Sequence, residues 1–319
     1  MKRRLFAAAA VVLVLFAAEA VCRLLLPGVA DTALYMRFSN PHREQSGFIP
    51  DDNLFWRLAP NNDEWQVNAL GYRGPAVPEK KPAGEFRIVA LGDSCTFGLG
   101  EGGVPYEDTY PSVLEDLLKN NAKGLRVRAL NFGCPGYTSF QGKRLLASEA
   151  LRFQPDVVTA YFGINDGFEA VGFTDAEQRP VDLNAAPLKN ILRHSALYTA
   201  LTRGVVGARR EHAPGGEGFL ERVPIDEYHR NLDEIARLAA SAGAPTYFIP
   251  PVYLGDAEPG REDHRIHRPV IDIFPEIQAA HRRGVSVIFG GDDRVHPTPA
   301  GHAIIAKAIA DRLRHDFGL

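Results

Sequence analysis

A chain of 319 residues with 45% hydrophobic and 24% charged side chains has the composition of a globular protein with a core of its own, in one large domain or two small ones. Its net charge is −3, from 36 basic and 39 acidic residues, which gives no electrostatic case for nucleic acid as a partner. No tract is low in complexity, no internal repeat is present, and three cysteines decide little by themselves.

The first element is Lys2-Arg3-Arg4 followed by an apolar run from Leu5 to Ala18, the form of an export signal. Glu19 and Arg23 interrupt the continuation to Leu26, and their i,i+4 spacing puts them on one helix face. As a helix, Leu5 to Leu26 reaches about 33 Å, the width of a bilayer core, so residues 1–26 are expected to form an uncleaved transmembrane anchor. Ala18-Glu19-Ala20 also fits a small-x-small cleavage site, which would leave a secreted protein. Either way the basic start stays cytoplasmic and the body lies outside the cytoplasmic membrane, periplasmic or on the cell surface.

Residues 27–84 read as a small N-terminal extension. Short apolar runs mixed with Asn, Gly and Pro suggest a hairpin or cap rather than helices, and Pro75–Gly84 reads as a linker. From residue 85 to 319 strands and helices alternate. Strand-like runs are Phe86–Leu91, Val127–Phe132, Val157–Phe162, Pro245–Pro250 and Ser286–Phe289. Helical spacing marks Tyr110–Asn120, Ser139–Phe153, Ile225–Ala242, Ile271–His281 and Pro299–Phe317, the last with Thr298 as N-cap and Pro299 at its first position. Near-continuous apolar strands alternating with helices predict a five-stranded parallel sheet, flavodoxin-like, in a three-layer α/β sandwich. An insertion at about 167–222 breaks the pattern. It is expected to rise over the site as a lid or substrate-binding surface, with one helix near Leu188–Thr202 and a Gly-rich stretch at Ala213–Gly218. A second insertion spans Val252–Pro269.

Polar punctuation falls at the strand ends, where ligands bind in such sheets. Gly92-Asp93-Ser94 ends the first strand, Gly133-Cys134-Pro135-Gly136 the second, and Gly163-Ile164-Asn165-Asp166 the third. Asp293-Arg294-Val295-His296 comes just before the final helix. Serine is a weak nucleophile without a base, and a histidine base needs a group to fix its tautomer. Ser94, His296 and Asp293 supply those types, and Asp292 lies one residue away. Asp93 and Asp166 are expected to be structural acceptors that shape their turns. Cys95 and Cys134 lie at adjoining strand ends, as apolar fillers or as a disulfide.

These four blocks, in this order, resemble the SGNH (GDSL) hydrolase family, named for residues that stand here as Ser94, Gly136, Asn165 and His296. The resemblance covers about residues 85–319. It implies a serine esterase in which Ser94, Asp293 and His296 are catalytic, and the Ser94 amide, the Gly136 amide and the Asn165 side chain form an oxyanion hole. Gly133 would then serve the turn after its strand. No metal or cofactor is implied. The implied substrate is a small-molecule or carbohydrate ester, such as an O-acetyl group on carbohydrate, or a lipid. Related members transfer acyl groups to cell-envelope polysaccharide with the same residues, and a non-catalytic module binding envelope carbohydrate or protein is the third reading. The Asn68-x-x-Gly71-Tyr72-Arg73-Gly74 phrase resembles the lead-in of exported bacterial members.

Other signals are weak. Gly98–Gly103 matches G-x-G-x-x-G but starts too late after its strand for a dinucleotide turn, and no P-loop or G-x-S-x-G elbow exists. His264 and His267, beside Glu262 and Asp263, read as a solvated loop. His302 reads as a packing or capping residue of the last helix. Nothing in the sequence sets the oligomeric state.

Overall fold

A computed structural model describes residues 2–25, 47–170, 173–178, 188, 191–192, 195–201, 204, 220–255, 259–261 and 270–319. The chain groups into two units: residues 1–57 with 169–220, and residues 58–168 with 221–319.

The second unit holds the parallel sheet. Its strands are β3 (Glu85–Gly92), β4 (Arg126–Gly133), β5 (Val157–Tyr161) and β6 (Thr246–Phe248), in the spatial order β4-β3-β5-β6. β3 is central and pairs in parallel with both neighbours, Gly92 lying level with Gly133 and with Tyr161. The three strands therefore end together, and the loops after them share one rim.

Strand alternation divides β3 between two helix layers. Phe86, Ile88 and Ala90 join a core with Tyr110, Leu114 and Leu118 of α3 (Tyr110–Leu118) and with Ile305, Ile309 and Leu313 of α7 (Pro299–Phe317). The other layer is α4 (Ser139–Ser148) packed on α5 (Ile225–Ser241). Ile88, Val89 and Leu91 are fully buried, each side chain contributing about 1.5–3 kcal/mol of transfer free energy. α7 starts as its sequence predicts: Thr298 accepts from the Gly301 amide and Pro299 follows.

The described sheet has four strands, not five. Ser286–Phe289 does not join it. Its Val287 carbonyl and Phe289 amide pair instead with Thr298 and His296, making an antiparallel bridge between Ile288 and Pro297. The place beside β6 is taken by Val270 and Ile271, whose Ile271 amide donates to the Phe248 carbonyl. A short apolar run satisfies either pairing, and only tertiary context separates them.

The linker side of the extension also enters this unit. Asn62, Val67 and Arg73 form isolated bridges, and Arg73 pairs with Asn131, laying backbone along the β4 edge.

In the first unit, α1 runs from Lys2 to Leu25. Among the described residues no helix is long and apolar enough to cross a membrane, so the expected transmembrane anchor is not found. The reason lies in Glu19. Between the basic start and Glu19 the apolar stretch is about 14 residues, roughly 21 Å as a helix, against a hydrocarbon core of about 30 Å. Glu19 itself is committed to protein partners: it accepts from the Ser195 hydroxyl and the Ala196 and Leu197 amides, capping the helical segment 196–201, and from Arg23 at 2.7 Å. The hairpin expected in the extension exists as β1 (Phe48–Asp51) and β2 (Phe55–Leu58). Ala213–Gly218 and the His264–His267 loop lie outside the described residues; of the predicted helix at Leu188–Thr202, residues 188, 191–192 and 196–201 are helical, with Ser195 outside the helix.

Candidate active site

β3 stops at Gly92 because the chain must turn at once into α2 (Ser94–Phe97). A Cβ at Gly92 would sit 1.9 Å from Thr96 Oγ1, so only glycine fits. Asp93 caps this turn, its carboxylate accepting from the Cys95 amide at 2.8 Å. The Asp93 carboxylate is fully buried, and burial raises its pKa to about 6. Ser94 is the first helical residue, so its N–H has no intrahelical acceptor.

The other end of α2 is held with equal care. Asn131 Nδ2 donates to the Thr96 carbonyl, and the buried Arg73 guanidinium donates to the carbonyls of Phe97, Gly98 and Val104. Burial lowers the Arg73 pKa to about 10, and its guanidinium lies 4.6 Å from the Phe97 ring centre.

The His296 loop is pinned from three sides. Phe289 N–H donates to the His296 carbonyl, Leu254 N–H to the Arg294 carbonyl, and the Cys95 thiol to the Val295 carbonyl at 3.4 Å. The result is two contacts in series: Ser94 Oγ to His296 Nε2 at 2.8 Å, and His296 Nδ1 to Asp293 Oδ1 at 2.8 Å. Asp293 Oδ1 also accepts from the His296 amide at 3.2 Å, so the carboxylate and the imidazole are built as one loop unit.

Asn165 arrives from the β5 end, buried, its Nδ2 donating to Asp93 Oδ2 at 3.2 Å and to the Tyr137 carbonyl at 3.0 Å. One amide thus ties together the blocks after β3, β4 and β5. Asp166 accepts from the Ser139 amide and hydroxyl, joining the same loop to the start of α4. Both aspartates are therefore turn acceptors, as their positions suggested.

The turn expected at Gly133 falls at Gly136 instead. Gly136, with φ 79°, makes the turn. Gly133 is a packing position, where a Cβ would lie 2.2 Å from the Phe97 amide nitrogen. Cys95 and Cys134 do not form a disulfide, and burial raises the Cys95 pKa well above the ordinary thiol range, which leaves it inert as a nucleophile. His302 packs inside: it is fully buried and its Nδ1 accepts from the Tyr110 amide at 3.2 Å.

Two arginines near this site went unread in the sequence. Arg73 was visible only as part of a family phrase. Arg222, where the long insertion returns, donates from Nη1 to the Gly136 carbonyl at 2.8 Å and from Nη2 to Gln141 Oε1 at 3.1 Å. No sequence signal marks an arginine that bonds a backbone carbonyl.

Beside these residues lies a pocket of about 480 Å³ whose lining includes Ile164, Phe168, Tyr253, Leu254 and Val295. Ile164 and Val295 directly precede Asn165 and His296.

A serine facing an imidazole at the carboxyl rim of a parallel α/β sheet marks the class as an α/β serine hydrolase. Comparison makes the family definite: the chain belongs to the GDSL-like lipase/acylhydrolase family, whose model matches residues 90–304, and it is a serine ester hydrolase of that kind. A curated relative, an acetylxylan esterase from Geobacillus stearothermophilus, is 24% identical over 241 residues, 72% of this chain and 95% of the relative. Among solved structures, the lipase/acylhydrolase from Enterococcus faecalis is 19% identical with a TM-score of 0.45, covering 72% of this chain and 96% of its own. A catalytic mutant of the Geobacillus stearothermophilus acetylxylan esterase is 18% identical with a TM-score of 0.43, covering 72% and 93%.

Proposed function

We propose that the chain hydrolyses a carboxylic ester through Ser94, His296 and Asp293. Ser94 Oγ attacks the acyl carbon while its proton passes to His296 Nε2. Asp293 holds the Nδ1 proton and stabilises the imidazolium. The carbonyl oxygen becomes an oxyanion received by the Ser94 and Gly136 amides and the Asn165 side chain. Collapse breaks the C–O bond, and the departing alcohol takes the proton from His296. Water then adds to the acyl-enzyme by the same route in reverse and releases the acid, restoring Ser94.

The observation that carries this reading is the pair of 2.8 Å contacts, Ser94 to His296 and His296 to Asp293. Two substrate classes suit it: an O-acetyl group on carbohydrate, which the acetylxylan esterase relative brings forward, and a lipid ester. The basic start and apolar run of the N-terminus support a location outside the cytoplasmic membrane, reached by export. Fractionation of the producing cell tests that location, and recovery in the cytoplasm would end it.

The activity test is hydrolysis of p-nitrophenyl esters together with labelling by a fluorophosphonate probe. Ser94→Ala should abolish both and keep the fold. A well-folded wild type that neither hydrolyses nor labels would replace this reading with a binding module.

A further inference from the structure

The pocket beside Asn165 and His296 bears on which ester is cleaved. At about 480 Å³ it has the size of a small-molecule site. An acetyl group extends past its carbonyl by one methyl, about the size of a water molecule (about 30 Å³), and would leave the pocket nearly empty. The lining is apolar in kind. Ile164 and Leu254 are half-buried and pack on the core, Phe168 is 53% exposed, and Val295 and Tyr253 add two more apolar surfaces. Only Tyr253 and Arg294 among the lining residues carry polar side-chain atoms. A sugar ring binds through several hydroxyl partners, and this lining offers few, whereas a hydrocarbon chain needs none.

The site's surroundings hold the pocket in place. Leu254 is tied to the His296 loop through its amide bond to the Arg294 carbonyl. Phe168 is tied to the Asn165 loop, its carbonyl accepting from the Arg222 amide and its own amide donating to the Asn165 carbonyl. Both walls are therefore rooted in the loops that carry the reacting groups.

The geometry points to an ester bearing an apolar chain longer than acetyl, seated between Phe168 and Leu254. This rests on the esterase reading above and favours the lipid class over acetyl on carbohydrate. The chain belongs either to the acyl group or to the alcohol, and two substrate series separate them: p-nitrophenyl acetate, butyrate and hexanoate, and methyl, butyl and hexyl acetate. Each methylene that leaves water on binding should raise kcat/KM by about fourfold along the series whose chain enters the pocket.

Gly167 lines the pocket and supplies a plug. Its φ is not in the left-handed region, and an added Cβ would meet only the Ile164 carbonyl oxygen, at 3.9 Å. Gly167→Leu should therefore lower kcat/KM for the longest substrate by at least about tenfold relative to the shortest. Flat or falling profiles in both series would overturn the assignment. So would a Gly167→Leu loss equal for short and long chains, or acetylated xylo-oligosaccharide outpacing every long-chain ester. Fluorophosphonate labelling reports the esterase reading separately: intact labelling with flat profiles sinks the pocket assignment alone, and absent labelling sinks both.

Discussion

Arg222 reaches the Gly136 carbonyl with one guanidinium nitrogen and Gln141 with the other. Gln141 in turn accepts from the Thr138 amide in the capping box of α4. The Gly136 turn is thus held from outside by a charge-assisted bond and from inside by the Asn165 amide on the Tyr137 carbonyl. If Gly136 offers its amide to the oxyanion, Arg222 is a positioning residue that acts through it. Arg222→Met should lower kcat by about ten- to a hundredfold while KM changes little, since a small displacement of a transition-state donor costs rate rather than ground-state binding. Added guanidinium ion should restore part of the rate. A rise in KM with constant kcat would contradict this role.

Arg73 makes the matching case behind Ser94. Its charge is buried against three carbonyls at the C-terminal side of α2, where the helix end is electronegative. No carboxylate bonds it among the described residues. Arg73→Met would leave the Phe97 carbonyl with Asn131 Nδ2 and the Gly98 carbonyl with the Val104 amide, but would strand the Val104 carbonyl, at about 1–3 kcal/mol where it stays buried. A lower melting temperature follows, together with slower fluorophosphonate labelling of Ser94 in protein that is still folded. Labelling at the wild-type rate in the folded variant would reduce Arg73 to a purely structural role.

How legible all this was in the sequence depended on the range of the interaction. α7 was readable to the residue because Thr298 and Pro299 fix its start locally and Gly318 in the left-handed conformation fixes its end. The central strands were readable because burial on both faces leaves continuous apolar runs. Ser286–Phe289 misled because apolar content does not say whether a strand pairs with β6 or with the His296 loop. The candidate catalytic residues could be listed from their types and spacing, but the arginine contacts at Gly136 and Phe97 join residues 86 and 24 apart through backbone carbonyls, which leave no mark in side-chain pattern. Glu19 shows the same limit: a charge in an apolar run reads as a flaw in a membrane span, and its capping of residues 195–197 is visible only in three dimensions.

Asn165 offers a test of the oxyanion assignment. Its amide hydrogens are directed at Asp93 and Tyr137 in the resting geometry, so the transition state must draw one of them toward the developing charge. Asn165→Ala should reduce kcat by about 10²–10³ with little change in KM. Asn165→Asp should be as poor, because it places an acceptor where a donor is required. Near wild-type turnover in Asn165→Ala would move the oxyanion site elsewhere.

Asp293 and Asp292 are adjacent, yet Asp293 alone of the two meets His296. Asp293→Asn keeps the shape but can present an N–H to Nδ1, favouring the wrong tautomer of the base. Turnover should fall by at least about a hundredfold, and Asp292→Asn should stay within about twofold. A reversed order in measured kcat would transfer the orienting role to Asp292.

His302 ties acid stability to the core behind the site. Burial is the first cause that lowers its pKa to about 3 from an ordinary 6.5, with the charges of Arg73 and His296 adding to it. The folded state therefore binds fewer protons than the unfolded chain between those values. By linkage, the stability that His302 contributes is complete above about pH 6.5 and is lost progressively as pH falls toward about 3. Asp93 works in the opposite sense, since its raised pKa of about 6 favours the folded state as pH falls, so the comparison must be made at constant Asp93. His302→Asn offers the Tyr110 amide an acceptor without a titrating ring. Urea unfolding from pH 7 to pH 4 should show the wild type losing stability more steeply than this variant. Parallel pH profiles for the two proteins would mean that His302 titrates alike in the folded and unfolded states.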